Sequence, residues 1–237
     1  LRGRRMERVF EAGCGTGYAT ALLARAAEQV MAADLSEGML TVARRRLADL
    51  GIENARLLNG DALEILASDG PFDLVFTSWV LGYISLAPFF AAASGSLHER
   101  GRIAFVVHKE NSPREPLEIF GELVARDPSI LGKRIAFDFP RDPGHVEAEM
   151  AAAGLEVIDL WEGEAVFRYP KPEDVLEHLL KSGAGTAFYD AIDPARRETL
   201  TQEFLDRLAA AGERPKGYEV VHEYVACIGE RRATSTR

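Results

Sequence analysis

The residues whose types and spacing point to chemistry lie near the start of this 237-residue chain, in Glu11-Ala-Gly13-Cys-Gly15-Thr-Gly17. The segment follows a short apolar run, Arg8-Val9-Phe10-Glu11-Ala12. Glycine at 13 and 15 lets a backbone turn tightly and approach a ligand with no Cβ in the way. A dinucleotide-binding loop places glycines at relative positions one, three and six. Here the sixth position is Tyr18 and the third glycine is Gly17, which disfavours NAD and FAD. A phosphate-cradling loop would end in Gly-Lys-Ser/Thr, and this one does not.

Two further carboxylates follow at informative places. Asp34 ends the next apolar run, Val30-Met31-Ala32-Ala33-Asp34, where an acid can accept from both hydroxyls of a ribose. Asp61, in Asn59-Gly60-Asp61-Ala62, is placed to accept from the exocyclic amine of an adenine, with a helix N-cap as its alternative role. A ribose, an adenine and no pyrophosphate describe S-adenosylmethionine.

These residues need a frame that presents them together. Strands are expected at 8–12, 30–34, 55–59, 73–77 and 103–107. Helices are expected at 18–27, 36–50 (capped by Ser36 and ended by Gly51) and 84–97. Alternating near-continuous apolar strands with amphipathic helices gives a parallel sheet covered on both faces, with right-handed crossovers. The expected fold class is α/β: a Rossmann-like, doubly wound, seven-stranded sheet, mostly parallel with an antiparallel final strand. The second half is less regular. Residues 111–143 carry five prolines and one short helix at 117–125. A helix at 145–153 and a strand at 155–161 follow, then helices at 171–181 and 195–210 and a last strand at 218–229. The expected domains are a sheet domain of residues 1–162 and 213–230, a helical insertion of 163–212, and a tail of 231–237.

The ordered series resembles the class I S-adenosylmethionine-dependent methyltransferases of the small-molecule type. The stretches that carry the resemblance are 11–17, Asp34-Leu-Ser-Glu-Gly-Met-Leu40, Gly60-Asp61-Ala62, Phe72-Asp73-Leu74-Val75 and 97–107, and they lie within a span of roughly residues 7–107, nearly half of the chain. The resemblance implies S-adenosyl-L-methionine as cofactor. Glu11 would then accept from its ammonium group, and the loop of Gly13, Gly15 and Gly17 would underlie its methionine and ribose. Asp34 would bind the ribose, Met39 would lie near the adenine face, and Asp61 and the backbone of Ala62 would hold the adenine edge. Ser78 would border the reacting methyl. The alternatives are a solvated carboxylate at Glu11, core packing at Met39 and local capping at Ser78.

Ser78-Trp79-Val80-Leu81 lacks the Asn/Asp-Pro-Pro-aromatic sequence of enzymes of this fold that methylate adenine or glutamine amides. No metal is expected, because no metal-ligand spacing of His, Cys, Asp and Glu occurs. A carboxylate or neutral amine acceptor needs only positioning, whereas a hydroxyl or carbon acid needs a base. His108, after the fifth strand, is the candidate base, with Tyr189 as a second catalytic candidate. His98, His145 and His178 read as surface residues, and His222 as a sheet histidine. Ser182-Gly183-Ala-Gly185 reads as a hinge that brings Phe188 and Tyr189 over the site, making 170–212 a mobile lid near Ser78 and His108. Trp79, Tyr83, Phe120, Phe137, Phe139 and Tyr169 are candidate apolar walls.

The composition sets the partners. The net charge of −9 lacks the broad positive field that holds a nucleic-acid backbone, so a small-molecule acceptor is expected and nucleic acid is not. No apolar run reaches the roughly 20 residues of a membrane span. Two cysteines, Cys14 and Cys227, make no disulfide framework, which fits a cytoplasmic protein. The chain starts with Leu rather than Met, so residues are expected to precede it. The expected activity is methyl transfer to O, N or C of a small molecule. The competing readings are a carboxyl O-methyltransferase, of the trans-aconitate or malonyl-carrier-protein kind, and a non-catalytic S-adenosylmethionine-binding protein.

Overall fold

The computed structural model describes residues 6–133, 137–182, 185–211 and 217–233. Seven strands form one sheet in the order β3-β2-β1-β4-β5-β7-β6. They are β1 (Met6–Ala12), β2 (Ala27–Asp34), β3 (Ala55–Asn59), β4 (Phe72–Ser78), β5 (Leu97–His108), β6 (Leu155–Tyr169) and β7 (Tyr218–Arg231). Pairs β1/β2, β1/β4, β2/β3 and β4/β5 are parallel, and the final strand is antiparallel. The reversal of strand order falls between β1 and β4, so the ends of β1 and β4 open a crevice, the place where such sheets bind ligands.

The chain divides into two compact units. The first comprises Leu1–His108, Phe137–Glu162 and Val225–Arg237. Its sheet is apolar on both faces. Phe10 and Ala12 of β1 and Val75 of β4 enter one core with Leu66 of α3 (Ala62–Ser68), Phe89 and Phe90 of α4 (Leu86–Ser96) and Met150 of α6 (Pro143–Ala152). Val9 and Leu74 enter the opposite core with Ala24 of α1 (Tyr18–Ala24) and Leu40 of α2 (Glu37–Asp49). Side chains alternate along a strand, so one short run feeds both cores.

The second unit comprises Lys109–Ala136 and Gly163–Tyr224. Its helices are α5 (Arg114–Arg126), α7 (Pro172–Ser182), α8 (Thr186–Ala191) and α9 (Arg197–Ala210). Ile119 and Leu123 of α5, Val175 and Leu179 of α7, and Leu200 and Phe204 of α9 form its core. The unit therefore takes in α5 and the near ends of β6 and β7, beyond the insertion of 163–212 expected from sequence. The expected hinge also differs. Gly183 lies outside the described residues, whereas Gly185 donates its N–H to the Leu179 carbonyl at 2.8 Å and starts α8. A Cβ at Gly185 would stand 2.9 Å from that of Leu179, so the glycine serves close packing.

Candidate functional site

The site residues of the first unit sit on the ends of β1 and β2 and the loops that follow. Gly13 and Cys14 both donate to the Ala33 carbonyl, at 2.8 and 3.0 Å, which ties the glycine loop to the end of β2. Gly13, Gly15 and Gly17 all have left-handed backbone, with φ of 69°, 52° and 77°. Their reasons differ. A Cβ on Gly13 would lie 2.3 Å from a Val80 methyl, and one on Gly17 would lie 2.9 Å from the Ala43 Cβ. A Cβ on Gly15 would meet nothing within 4 Å. Gly13 and Gly17 thus let protein pack on protein, and Gly15 alone faces open space.

That open space lies beside an oriented carboxylate. Asp34 Oδ2 accepts from the Gly15 N–H and Oδ1 accepts from the Ser36 N–H, each at 2.8 Å. Each oxygen keeps a lone pair for a further donor. Asn59, which sequence reasoning passed over, donates to the carbonyls of Asp34 (3.1 Å) and Leu35 (3.0 Å) and fixes the end of β2. Its signal was its place at the last position of a strand neighbouring β2.

Glu11 is 2% exposed and accepts from the Thr20 hydroxyl at 2.5 Å. The solvated-carboxylate alternative is therefore excluded. Burial pushes its pKa up to about 7, the Thr20 bond pulls it down, and the Asp34 charge adds to the rise. The Cys14 thiol is pushed up to about 12 by burial and then by Glu11 and Asp34, so it stays protonated and inert.

Asp61 caps α3, its Oδ1 accepting from the Leu63 N–H at 2.7 Å, and Oδ2 remains for a ligand. Ala62 is the first residue of that helix, where a backbone N–H has no intrahelical acceptor. Met39 is 43% exposed and so is not core; the buried face of α2 is Leu40, Ala43 and Leu47. Exposed Leu35 joins Met39 as apolar surface close to Asp34 in the chain.

Ser78 ends β4, and Trp79 follows with φ of 64°, a strained conformation for a bulky residue. The Trp79 ring lies 4.4 Å from that of His108, and His108 lies 6.1 Å from Phe139. Tyr83 meets Phe137 and Phe139 edge-on, at 5.2 and 5.6 Å. His108 is thus a buried member of an aromatic cluster beyond the ends of β4 and β5.

Phe120, Tyr169 and Tyr189 belong to the second unit. Tyr189 lies under the Arg197 guanidinium, 5.3 Å from ring centre to charge, and Phe188 meets Phe120 edge-on at 5.0 Å. His178 is not the surface residue expected. Its Nδ1 bonds the Tyr169 hydroxyl and its Nε2 the Nε2 of buried His222, each at 2.7 Å.

A family profile described as a methyltransferase domain matches residues 9–101. Trans-aconitate 2-methyltransferase of Methylobacterium nodulans is 31% identical over 214 residues, covering 86% of this chain and 76% of that protein. The chain belongs to the class I S-adenosylmethionine-dependent methyltransferases. Malonyl-[acyl-carrier protein] O-methyltransferase of Geobacter sulfurreducens is 29% identical, over 91% of this chain and 82% of that protein. The first curated relatives are matched over a shorter stretch, and the chain spans only 30% to 40% of their length. The solved structure of YcgJ from Bacillus subtilis shares the fold, with a TM-score of 0.64 at 19% identity over 98% of this chain and 95% of that one. S-Adenosylmethionine is the cofactor of this family, and the residues present fit it: an open cradle at Gly15, an oriented carboxylate at Asp34 and a buried acid at Glu11.

Among the described residues, no helix is long and apolar enough to cross a membrane.

Proposed function

We propose that the first unit binds S-adenosylmethionine and that the protein methylates a small-molecule acceptor. The observation that carries this reading is the Asp34 carboxylate, held by the Gly15 and Ser36 N–H groups beside the open face of Gly15. Bound S-adenosylmethionine supplies a methyl group on a sulfonium, already activated for transfer. Asp34 accepts from the ribose hydroxyls, in charge-assisted bonds. Glu11 becomes fully ionised when a cationic ammonium stands beside it, because an opposite charge offsets the burial that raises its pKa. Asp61 Oδ2 and the Ala62 N–H hold the adenine edge, with Met39 and Leu35 as apolar cover. Ser78 and the Trp79–His108 cluster border the acceptor and exclude water.

Carboxyl O-methylation is the favoured acceptor chemistry. Two relatives matched over most of the chain are named for an acid, trans-aconitate, and for a malonyl group. A carboxylate is a nucleophile without a base, so His108 then positions rather than deprotonates. The net charge of −9 disfavours a nucleic acid as acceptor. Turnover with methyl-labelled S-adenosylmethionine and a panel of small carboxylic acids, phenols and amines tests the reading. Base-stable label in every product would rule out carboxyl esters. Binding of S-adenosylhomocysteine without turnover of any acceptor would leave a binding protein only.

A further inference from the structure

We propose that the second unit contains a binding site for a short, uncharged, apolar group, in a recess between α5, α7, α8 and α9. This goes beyond the cofactor site and does not depend on it. The recess, counted with the part open to solvent, is about 580 Å³. Leu117 and Phe120 of α5, Leu176 and Leu180 of α7, Phe188 of α8 and Phe204 of α9 are among the apolar side chains of its wall. Among the described residues, the only side-chain polar atoms on the wall are the hydroxyls of Tyr189 and Thr201.

Packed interiors leave few voids larger than one water. Water gains little against this wall, because it needs two to four polar partners. An alkyl or aryl group gains dispersion contacts that the wall otherwise lacks. Three ion pairs of the unit lie away from the recess. Arg126 pairs with Glu203, Arg207 with Glu122 at 2.7 Å and Arg196 with Asp127 at 2.8 Å, and none of these lines the recess. Among the described residues, a polycarboxylate or phosphate finds no charged side chain lining the wall. The chemistry that fits is an aliphatic chain or small ring with at most one hydroxyl or carbonyl, met by Tyr189 or Thr201.

Titration of the full chain with n-alkanols from butanol to octanol, read by carbon-13 methyl NMR, tests this. Saturable shifts are expected at Leu117, Leu176, Leu180 and Ile192. Affinity should rise about fourfold per added methylene until the space is filled, then level off. Leu180→Phe on α7 and Thr201→Leu on α9 each fill part of the recess, and each should weaken octanol binding at least tenfold. Amide spectra of the free variants check that they fold, and two variants guard against one failing. Absence of saturable shifts, no chain-length dependence, or unchanged binding in the folded variants would overturn the proposal. S-Adenosylhomocysteine titrated into the same samples reports on the first unit separately, so loss of one site does not mimic loss of the other.

Discussion

Replacing Glu11 by Gln is expected to stabilise the ligand-free protein and, at the same time, to weaken its hold on the cofactor. Glu11 is 2% exposed, and burial lifts its pKa from 4.5 to about 7. The unfolded chain releases that proton near pH 4.5, while the folded chain keeps it until about pH 7. Folded protein therefore binds more protons between these values, and stability falls as pH rises through them. At about 1.4 kcal/mol per pH unit, the full penalty above pH 7 is about 3 kcal/mol. Gln fills the same space and still accepts from Thr20, so at pH 8 the variant should unfold about 2–3 kcal/mol later in urea. Cofactor binding moves the other way. A charge-assisted bond to an ammonium is worth about 1.5–3 kcal/mol, so the variant should bind S-adenosylhomocysteine roughly 10- to 100-fold more weakly. Wild-type binding near pH 6 should also release a proton. Calorimetry in two buffers of different ionisation enthalpy reads that proton, and the variant should not release it. Equal affinity in the two proteins, or binding heats independent of buffer in the wild type at pH 6, would refute the assignment of Glu11 to the ammonium.

Other outcomes follow from the same geometry. Asp34→Ala should weaken S-adenosylhomocysteine binding at least tenfold while far-ultraviolet circular dichroism stays unchanged; an unaltered Kd in the folded variant removes Asp34 from the ribose. Gly13→Ala should fail to fold stably, because its Cβ would stand 2.3 Å from Val80, whereas Gly15→Ala should lose only the 1–2 kcal/mol or so of its left-handed backbone and most of its cofactor binding. Equal thermal midpoints for the two variants would contradict this division. His108→Gln should leave kcat within a fewfold for a carboxylate acceptor and lower it on the order of 100-fold for a hydroxyl or carbon acid. Burial, then His178, depresses the His222 pKa from 6.5 to about 4, so the stability it contributes is complete above pH 6.5 and is lost as pH falls toward 4. Urea unfolding of the Glu11→Gln protein at pH 7.5 and 5 should show a loss of about 2 kcal/mol, and adding His222→Phe should shrink it, leaving the part due to His178, which burial also depresses; a flat profile with His222 present would show that the pair is not buried as described.

Much of the first unit was legible because its signals are local. β3 occupies 55–59 as expected, and α2 begins after its Ser36 cap, which accepts from the Met39 N–H at 3.3 Å. Strand ends were less legible. β2 starts at Ala27 rather than Val30, because Ala27–Gln29 pair with β1 though they look like the end of a helix. β5 starts at Leu97, where Leu97 pairs with Phe72 and Arg102 with Leu74, so a bulge sits inside a segment that reads as a charged turn. The seven-residue α3 and six-residue α8 are too short to show a period, and Glu162-Gly-Glu164 hides the run of β6 to Tyr169. In the site, types and order were visible but reasons were not. Nothing local shows that Gly13 makes room for Val80 and Gly17 for Ala43, that Thr20 bonds Glu11, or that His178 and His222 share a hydrogen bond across 44 positions. Each depends on a residue brought near only by the finished fold.

A crystal structure of the protein with S-adenosylhomocysteine measures the central claim most directly. Both ribose hydroxyls are expected within hydrogen-bond distance of the Asp34 carboxylate, the ligand backbone over Gly15, its ammonium on the Glu11 side and the adenine edge at Asp61 and Ala62. A ligand seated away from the Gly15 loop, or one whose ribose leaves Asp34 untouched, would contradict it.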